Sequence, residues 1–220
     1  MPTRGCLDVY TLPTSGALAL AVTTGISCSS SAALLALHRS EEPETGLLLR
    51  EVDPAGLHST LANGSCDMAI AFDNMAAMHG WDAEPLWQEE LAVALPKRSV
   101  LATRAEITIE LLRTHPVQLW PPDADRAVGT ELVKKEDTVA DMTAIASFEL
   151  LALLVAAGYC VGIAPLRRIE QAQAWGIVAR PLAGRPLALS TLLLRAPQAG
   201  SPAAERFAER ARRIAASRLS

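Results

Sequence analysis

The chain has 220 residues with a fifth of them charged, so it can bury a substantial core, as one large domain or two small lobes, and its composition excludes disorder. Half the residues are apolar but the aromatics are few (Trp 4, Tyr 2, Phe 3), which makes that core aliphatic. The net charge of −4 divides unevenly: residues 1–110 carry 6 Lys/Arg against 14 Asp/Glu, and residues 111–220 carry 14 against 10, with no basic cluster before the C-terminal helix, so the chain is not expected to grip nucleic acid itself.

Residues 1–15 have no hydrophobic period and hold Pro2 and Pro13, so they read as a tail or linker. Ala17–Thr24 is predicted as the first strand; its apolar run, Ala17–Val22, is too short for a secretion signal. Gly25–Ser31 reads as a small polar loop and Ser31–Ser40 as a helix, with Leu34, Leu35, Leu37 and His38 on its apolar side and Pro43 ending it. Next comes a strand at Leu47–Val52, a short loop at Asp53-Pro54, and an amphipathic helix with Leu57 and Leu61 inward. Gly64 is placed at the C′ position of that helix, and a buried strand follows at Cys66–Phe72. This is a βαβ unit, whose strands run parallel with a right-handed crossover, and it makes the chain α/β.

Residues 73–82 read as a loop rich in Met, Asn and Gly, followed by two strands, Glu84–Trp87 and Leu91–Leu95. From Pro96 the pattern restarts: a helix at Ile107–Arg113, a strand at His115–Trp120, a loop at Pro121–Arg126, a helix at Val128–Lys135 and a connection at Asp137–Thr143. Ser147 is expected to N-cap a long helix, Phe148–Ala157, that Gly158 terminates. That helix is the longest apolar stretch, well short of the roughly 18 residues of a membrane span. Strand Tyr159–Ala164, helix Leu166–Ala174, the segment Ile177–Pro181, strand Leu187–Arg195 and helix Pro202–Ser217 complete the chain. In the last helix Phe207, Ala211 and Ile214 are read as inward and the arginines as outward, on a solvated face rather than a nucleic-acid contact.

Three motifs in order carry a family resemblance. Glu51-Val-Asp-x-x-x-Leu57-x-x-x-Leu61-x-x-Gly64-x-x-Asp67-x-Ala69-Ile70 resembles a segment of the effector-binding domains of LysR-type transcriptional regulators. Leu154-Val-Ala-Ala-Gly158-x-x-x-Gly162-Ile-Ala-Pro165 resembles the glycine-rich helix-to-strand motif of the same family, and Ser201-Pro-Ala-Ala-x-x-Phe207 its terminal helix. Where the family runs Gly-x-Gly, Gly158 and Gly162 stand four apart, a small departure. The resemblance covers about residues 17–214. It implies two Rossmann-like lobes joined by two crossover strands, similar to type-2 periplasmic binding proteins, with a ligand cleft between them. Lobe I would then be residues 16–92 plus 188–220, and lobe II residues 93–187. It also implies a winged helix-turn-helix, which does not fit before residue 16, so DNA is expected to be reached only through a domain outside this chain. Ala32–Leu37 and Leu47–Leu49 resemble the elements this family pairs in antiparallel homodimers; the alternative is that these leucines are all internal core.

Ligands in doubly wound sheets bind beyond the carboxyl ends of strands, next to helix N-termini that favour anions. The first candidate site is therefore the loop of Thr24, Ser27, Ser29 and Ser30, unless Ser30 or Ser31 only caps the helix. The second is Trp120, Pro121 and Asp123, an aromatic wall with a polar anchor, against the alternative of an ordinary surface loop. Ser147 and Phe148 would offer N–H donors from lobe II, and Asp53 and Pro54 would close the ring from lobe I.

Catalysis is not expected. Gly25-Ile-Ser-Cys-Ser29 lacks the second glycine of a nucleophile elbow, and there is no P-loop, dinucleotide fingerprint or His-Glu-x-x-His. Cys6, Cys28, Cys66 and Cys160 lie far apart with no His at ligand spacing, which points to reduced thiols in a cytoplasmic protein and to no metal or cofactor. Family members that take dicarboxylates can carry an arginine just after the Asp-x-Ala-Ile strand, where this chain has Phe72-Asp73. The expected effector is thus small, with an apolar or aromatic part, and neutral or singly charged. A transport-type solute-binding protein on the same fold is the alternative, which the lack of an export signal counts against.

Overall fold

Short runs of Ala, Leu, Val and Ile alternating between two buried faces build the strands of this chain, and helices of Leu and Ala cover them. The computed structural model describes residues 16–26, 28–73, 81–121, 145, 147–184, 186–195 and 200–217. It divides into two compact units, residues 1–87 with 190–220, and residues 88–189.

In the first unit, β1 (Ala17–Thr23) leads into α1 (Cys28–Glu41), then β2 (Gly46–Val52), α2 (Pro54–Ala62) and β3 (Met68–Phe72). β1 pairs in parallel with both β2 and β3, so the strands of the predicted βαβ unit are parallel with β1 inserted between them. Side chains alternate across the sheet. Ala21, Ala69, Ala71, Leu192 and Leu194 pack with Leu57 and Leu61 of α2 on one face. Leu18, Leu20, Met68 and Ile70 are buried on the other, the side of α1 and the last helix. Asp53 caps α2 by accepting from Gly56 N–H at 2.5 Å, with Pro54 at the first helical position. Gly64 takes φ 71° just past the Asn63 cap, the left-handed conformation that its C′ placement requires.

The predicted strands Glu84–Trp87 and Leu91–Leu95 are one strand, β4 (Asp82–Pro96). The intervening Gln88-Glu-Glu reads as a break, but it lies where β4 passes from one unit to the other. The second unit continues with α3 (Ile109–Leu112), β5 (Val117–Leu119), α4 (Phe148–Ala156), β6 (Val161–Pro165), α5 (Leu166–Gln171) and β7 (Ile177–Arg180). β5 and β6 are parallel, while β4 runs antiparallel to β6 and β7. Ser147 caps α4 as expected, its Oγ accepting from Leu150 N–H at 3.2 Å, and Gly158 follows the helix with φ 83°. The helix expected over 166–174 is interrupted: α5 stops at Gln171, and a short 3-10 turn (Gln173–Trp175) closes at Gly176, φ 93°. Predicted elements at 128–135 and 137–143, like the tail 1–15, lie outside the described residues.

β8 (Ala188–Arg195) returns to the first unit, pairing antiparallel with β3, and α6 (Pro202–Ala216) ends the chain. β4 and β8 are thus the two strands that join the α/β units. In α6, Phe207 and Ala211 are buried and Ile214 half-buried, but Arg210 is not on the solvated face: its side chain is enclosed beside Glu41, the last residue of α1, and Glu42 just past it. Charge alone suggests an outward arginine; a facing pair of carboxylates lets it turn inward. Among the described residues no helix is long and apolar enough to cross a membrane.

Candidate functional site

The first group of candidate residues gathers at the carboxyl ends of parallel strands. Thr23 of β1 is in register with Val52 of β2, so Thr24 and Asp53 leave the sheet side by side. On the other side of β1, Val22 pairs with Ile70, which brings Phe72 and Asp73 to the same end. Thr24 is half-buried beside buried Gly25 and Ile26. The loop is shorter than expected because α1 begins at Cys28, which puts Ser29 and Ser30 in its first turn. Serine is tolerated in a first helical turn, whereas periodicity registers only the apolar stripe that starts later. Ser29 is exposed; Ser30 is buried, and its Oγ has no hydrogen-bond partner among the described residues. Ser27 lies outside them. The Asp53 carboxylate is engaged in capping α2, and Pro54 fixes the helix start beside it.

A conspicuous carboxylate of this unit, Asp67, has a structural role. It accepts from Ala19 N–H at 2.8 Å while its own N–H donates to Ala19 C=O at 2.8 Å, clamping the entry of β3 to β1.

The second group sits at the carboxyl ends of β5 and β6. Trp120 continues β5, its N–H donating to Ile163 C=O at 2.9 Å, and Pro121 is buried beside it. Asp123 lies outside the described residues. Trp120 and Phe148 are both buried, their ring centroids 5.3 Å apart, so the start of α4 and the end of β5 meet. The sequence reading missed a third member, Arg168, in the first turn of α5 directly after β6. Its guanidinium carbon lies 5.5 Å from the Trp120 ring centroid and 5.9 Å from that of Phe148. Nothing in the linear sequence separates Arg168 from its neighbour Arg167; only the fold sets it over two aromatic rings.

Chemically, these two groups offer hydroxyls, an indole, helix N-termini and one stacked guanidinium. Among the described residues there is no cluster of His, Cys, Asp and Glu that could hold a metal. Cys66 and Cys160 are buried free thiols. Burial pushes both up, Cys160 to about 11, with Arg50 pulling Cys66 back and Asp67 pushing it further. Such thiols are poor nucleophiles.

The family model of the LysR substrate binding domain matches residues 13–216. No curated protein matches the chain at a significant level. Among solved structures, the reduced form of OxyR from N. meningitidis superposes with a TM-score of 0.73 at 19% identity, covering 93% of this chain and 96% of that one. An oxidised form of OxyR gives a TM-score of 0.76 at 21% identity over 92% and 95%. The C-terminal domain of a probable LysR family transcriptional regulator from Rhodococcus sp. RHA1 gives 0.74 at 22% over 90% and 98%. At these identities the structural likeness speaks to the fold, which is the type-2 periplasmic-binding-protein-like one.

Proposed function

The chain belongs to the LysR substrate-binding-domain family, and on that premise we propose that it senses a small-molecule effector for a LysR-type regulator by binding, not by chemistry. The effector is touched by residues drawn from Thr24, Ser27, Ser29, Ser30, Asp53, Pro54, Trp120, Pro121, Asp123, Ser147 and Phe148. It favours one lobe arrangement, and its differential affinity for that arrangement sets the largest shift it can cause. A homodimer carries the shift to DNA-binding domains outside this chain, in the cytoplasm.

The single observation that carries this reading is the family match across residues 13–216. It favours a regulator over the transport-type solute-binding alternative. Candidate residues at the carboxyl ends of parallel strands in each unit support it further.

The effector carries an apolar or aromatic part and at most one negative charge. Support comes from the first unit, where Arg195, Arg206, Arg210, Arg212 and Arg213 are engaged with glutamates and so are not available to a dianion.

A thermal-shift screen of metabolites tests the reading. Aromatic monoacids or neutral aromatics should raise the melting temperature more than dicarboxylates do, and Thr24→Val should weaken the effect. A dicarboxylate that stabilises more strongly would overturn the effector class. Turnover of any stabilising compound would overturn the sensor reading.

A further inference from the structure

Two enclosed side-chain donors stand at the carboxyl ends of β5 and β6, beside the N-terminus of α4, with no acceptor for either among the described residues. Trp120 is only 3% exposed, yet its indole Nε1–H has no hydrogen-bond partner among the described residues. The Arg168 Nε–H is likewise enclosed and unpartnered among them, and no described carboxylate lies within ion-pair distance of that guanidinium. The same end holds the N-terminus of α4, whose Phe148 ring touches both the Trp120 ring and the Arg168 guanidinium.

Buried donors are almost always satisfied in folded proteins, and an enclosed N–H without an acceptor is costly. Two on side chains 5.5 Å apart, guanidinium carbon to ring centroid, beside a helix N-terminus, therefore call for an acceptor that the described chain does not supply. An oxyanion suits both side-chain donors and the helix N-terminus beside them. The Trp87 indole, Arg195 Nε and one Arg210 nitrogen are also unpartnered among the described residues. Arg195 and Arg210, however, hold carboxylates through their other nitrogens, as do Arg206, Arg212 and Arg213, and Arg180 donates to the Ala102 and Arg104 carbonyls; at Arg168 no such partner is present among the described residues. The rings of Trp120 and Phe148 hold the Arg168 plane by cation–π contact, which leaves its N–H edge for in-plane bonds.

We propose that Arg168 and the Trp120 indole form a carboxylate-reading corner, so that the ligand taken here is a monoanionic carboxylate with an apolar body. This rests on the effector reading above and narrows it from "neutral or singly charged" to singly charged.

The test uses the ¹⁵N-labelled chain and the Trp120 indole N–H resonance, assigned with Trp120→Phe. Sodium formate and sodium benzoate are the probes; benzamide and sodium chloride are the controls. Both carboxylates should move the Trp120 resonance, benzoate at lower concentration, and the controls should leave it in place. Arg168→Gln should weaken benzoate at least tenfold, and Arg168→Lys, which keeps the charge and guards against a folding defect in the first variant, should recover part of the loss. The proposal is overturned if neither carboxylate moves the resonance, if benzamide matches benzoate, or if both Arg168 variants bind as the parent does. A metabolite that stabilises the chain without moving Trp120 overturns this corner and leaves the effector reading standing; if no metabolite stabilises it, the effector reading itself fails.

Discussion

Arg210 is enclosed at the α1–α6 seam and shared between Glu41 at 2.9 Å and Glu42 at 2.6 Å, while Glu42 also accepts from Arg206 and from Thr45 at 3.0 Å. Burial works against the Glu42 carboxylate, but the hydrogen bonds from Arg206, Arg210 and Thr45 outweigh it and hold its pKa at about 2. Because the folded value lies below the ordinary 4.5, this stabilisation is complete above that pH and is lost as pH falls toward 2. Glu42→Gln is expected to cost roughly 1.5–3 kcal/mol at pH 7 and far less at the acid end, measured by urea denaturation at both. An equal cost at both would show that the charge is not what stabilises the seam. His38 adds a second titration there. It is buried edge-on to Phe207 at 5.4 Å, and neither ring nitrogen has a hydrogen-bond partner among the described residues. Burial first, then the Arg210 and Arg206 charges, hold its pKa below 6.5 against the pull of Glu42. A base with a lowered folded pKa stabilises in its neutral form above 6.5 and loses that contribution as pH falls through the folded value. His38→Phe should therefore flatten the stability profile from pH 6.5 down to 4.5, where carboxylate titration takes over. A parent and variant with parallel profiles would refute this. The thiols give a third check: Cys66 and Cys160 should resist alkylation in the folded chain at neutral pH and react once it is unfolded, as peptide mass spectrometry would report.

At the scale of elements, the decisive contact is between α4 and the sheet beneath it. Gly162 of β6 is paired with Ala94 of β4, and a methyl group there would lie 3.2 Å from the Ala94 Cβ and 3.2 Å from both Leu151 Cδ atoms. Gly162→Ala requires Leu151 or Ala94 to give by a few tenths of an ångström and should cost about 1–3 kcal/mol, read from the urea midpoint; a neutral substitution would mean that the helix is free to shift. This bears on what the sequence made legible. Gly64 and Gly158 were readable because a left-handed residue after a helix is a local requirement, and both have positive φ. Ser147 was readable because an N-cap is likewise a local requirement, and it caps its helix. Gly162 was readable only as part of a motif, since its need is a close approach between elements distant in sequence. Continuity of β4 was hidden too: Gln88-Glu-Glu is polar for a strand, and the reason it is extended is that two units share it. Arg210 and Arg168 were illegible for a related reason. One is drawn inward by carboxylates at the end of α1, the other is set over the rings of Trp120 and Phe148, and neither partner is near in the chain.

For the whole molecule, the open question is what covers the outer edge of the first unit. β2 is the end strand of the sheet. Leu47 and Leu48 are half-buried, Leu49 is 43% exposed, and Ala32 of α1 is exposed with Leu35 and Leu37 half-buried. An apolar edge strand left open invites pairing with another chain. The elements concerned are those the family resemblance pairs in antiparallel dimers, so a second copy of this chain is the proposed occupant. A two-fold interface uses the same patch twice, and one substitution therefore places two like charges in it. Leu49→Glu is expected to shift the chain from dimer to monomer in light scattering coupled to size exclusion, while preserving the far-ultraviolet dichroism. Leu153→Glu is the matched control. Leu153 is still more exposed, at 63%, but lies on α4 in the second unit, which is not one of the elements of the proposed interface. If the control dissociates the dimer and Leu49→Glu does not, the interface belongs to α4. If the parent chain is monomeric at the concentrations where it binds its effector, transmission through a dimer of this domain falls, and the response would have to pass along β4 and β8 alone.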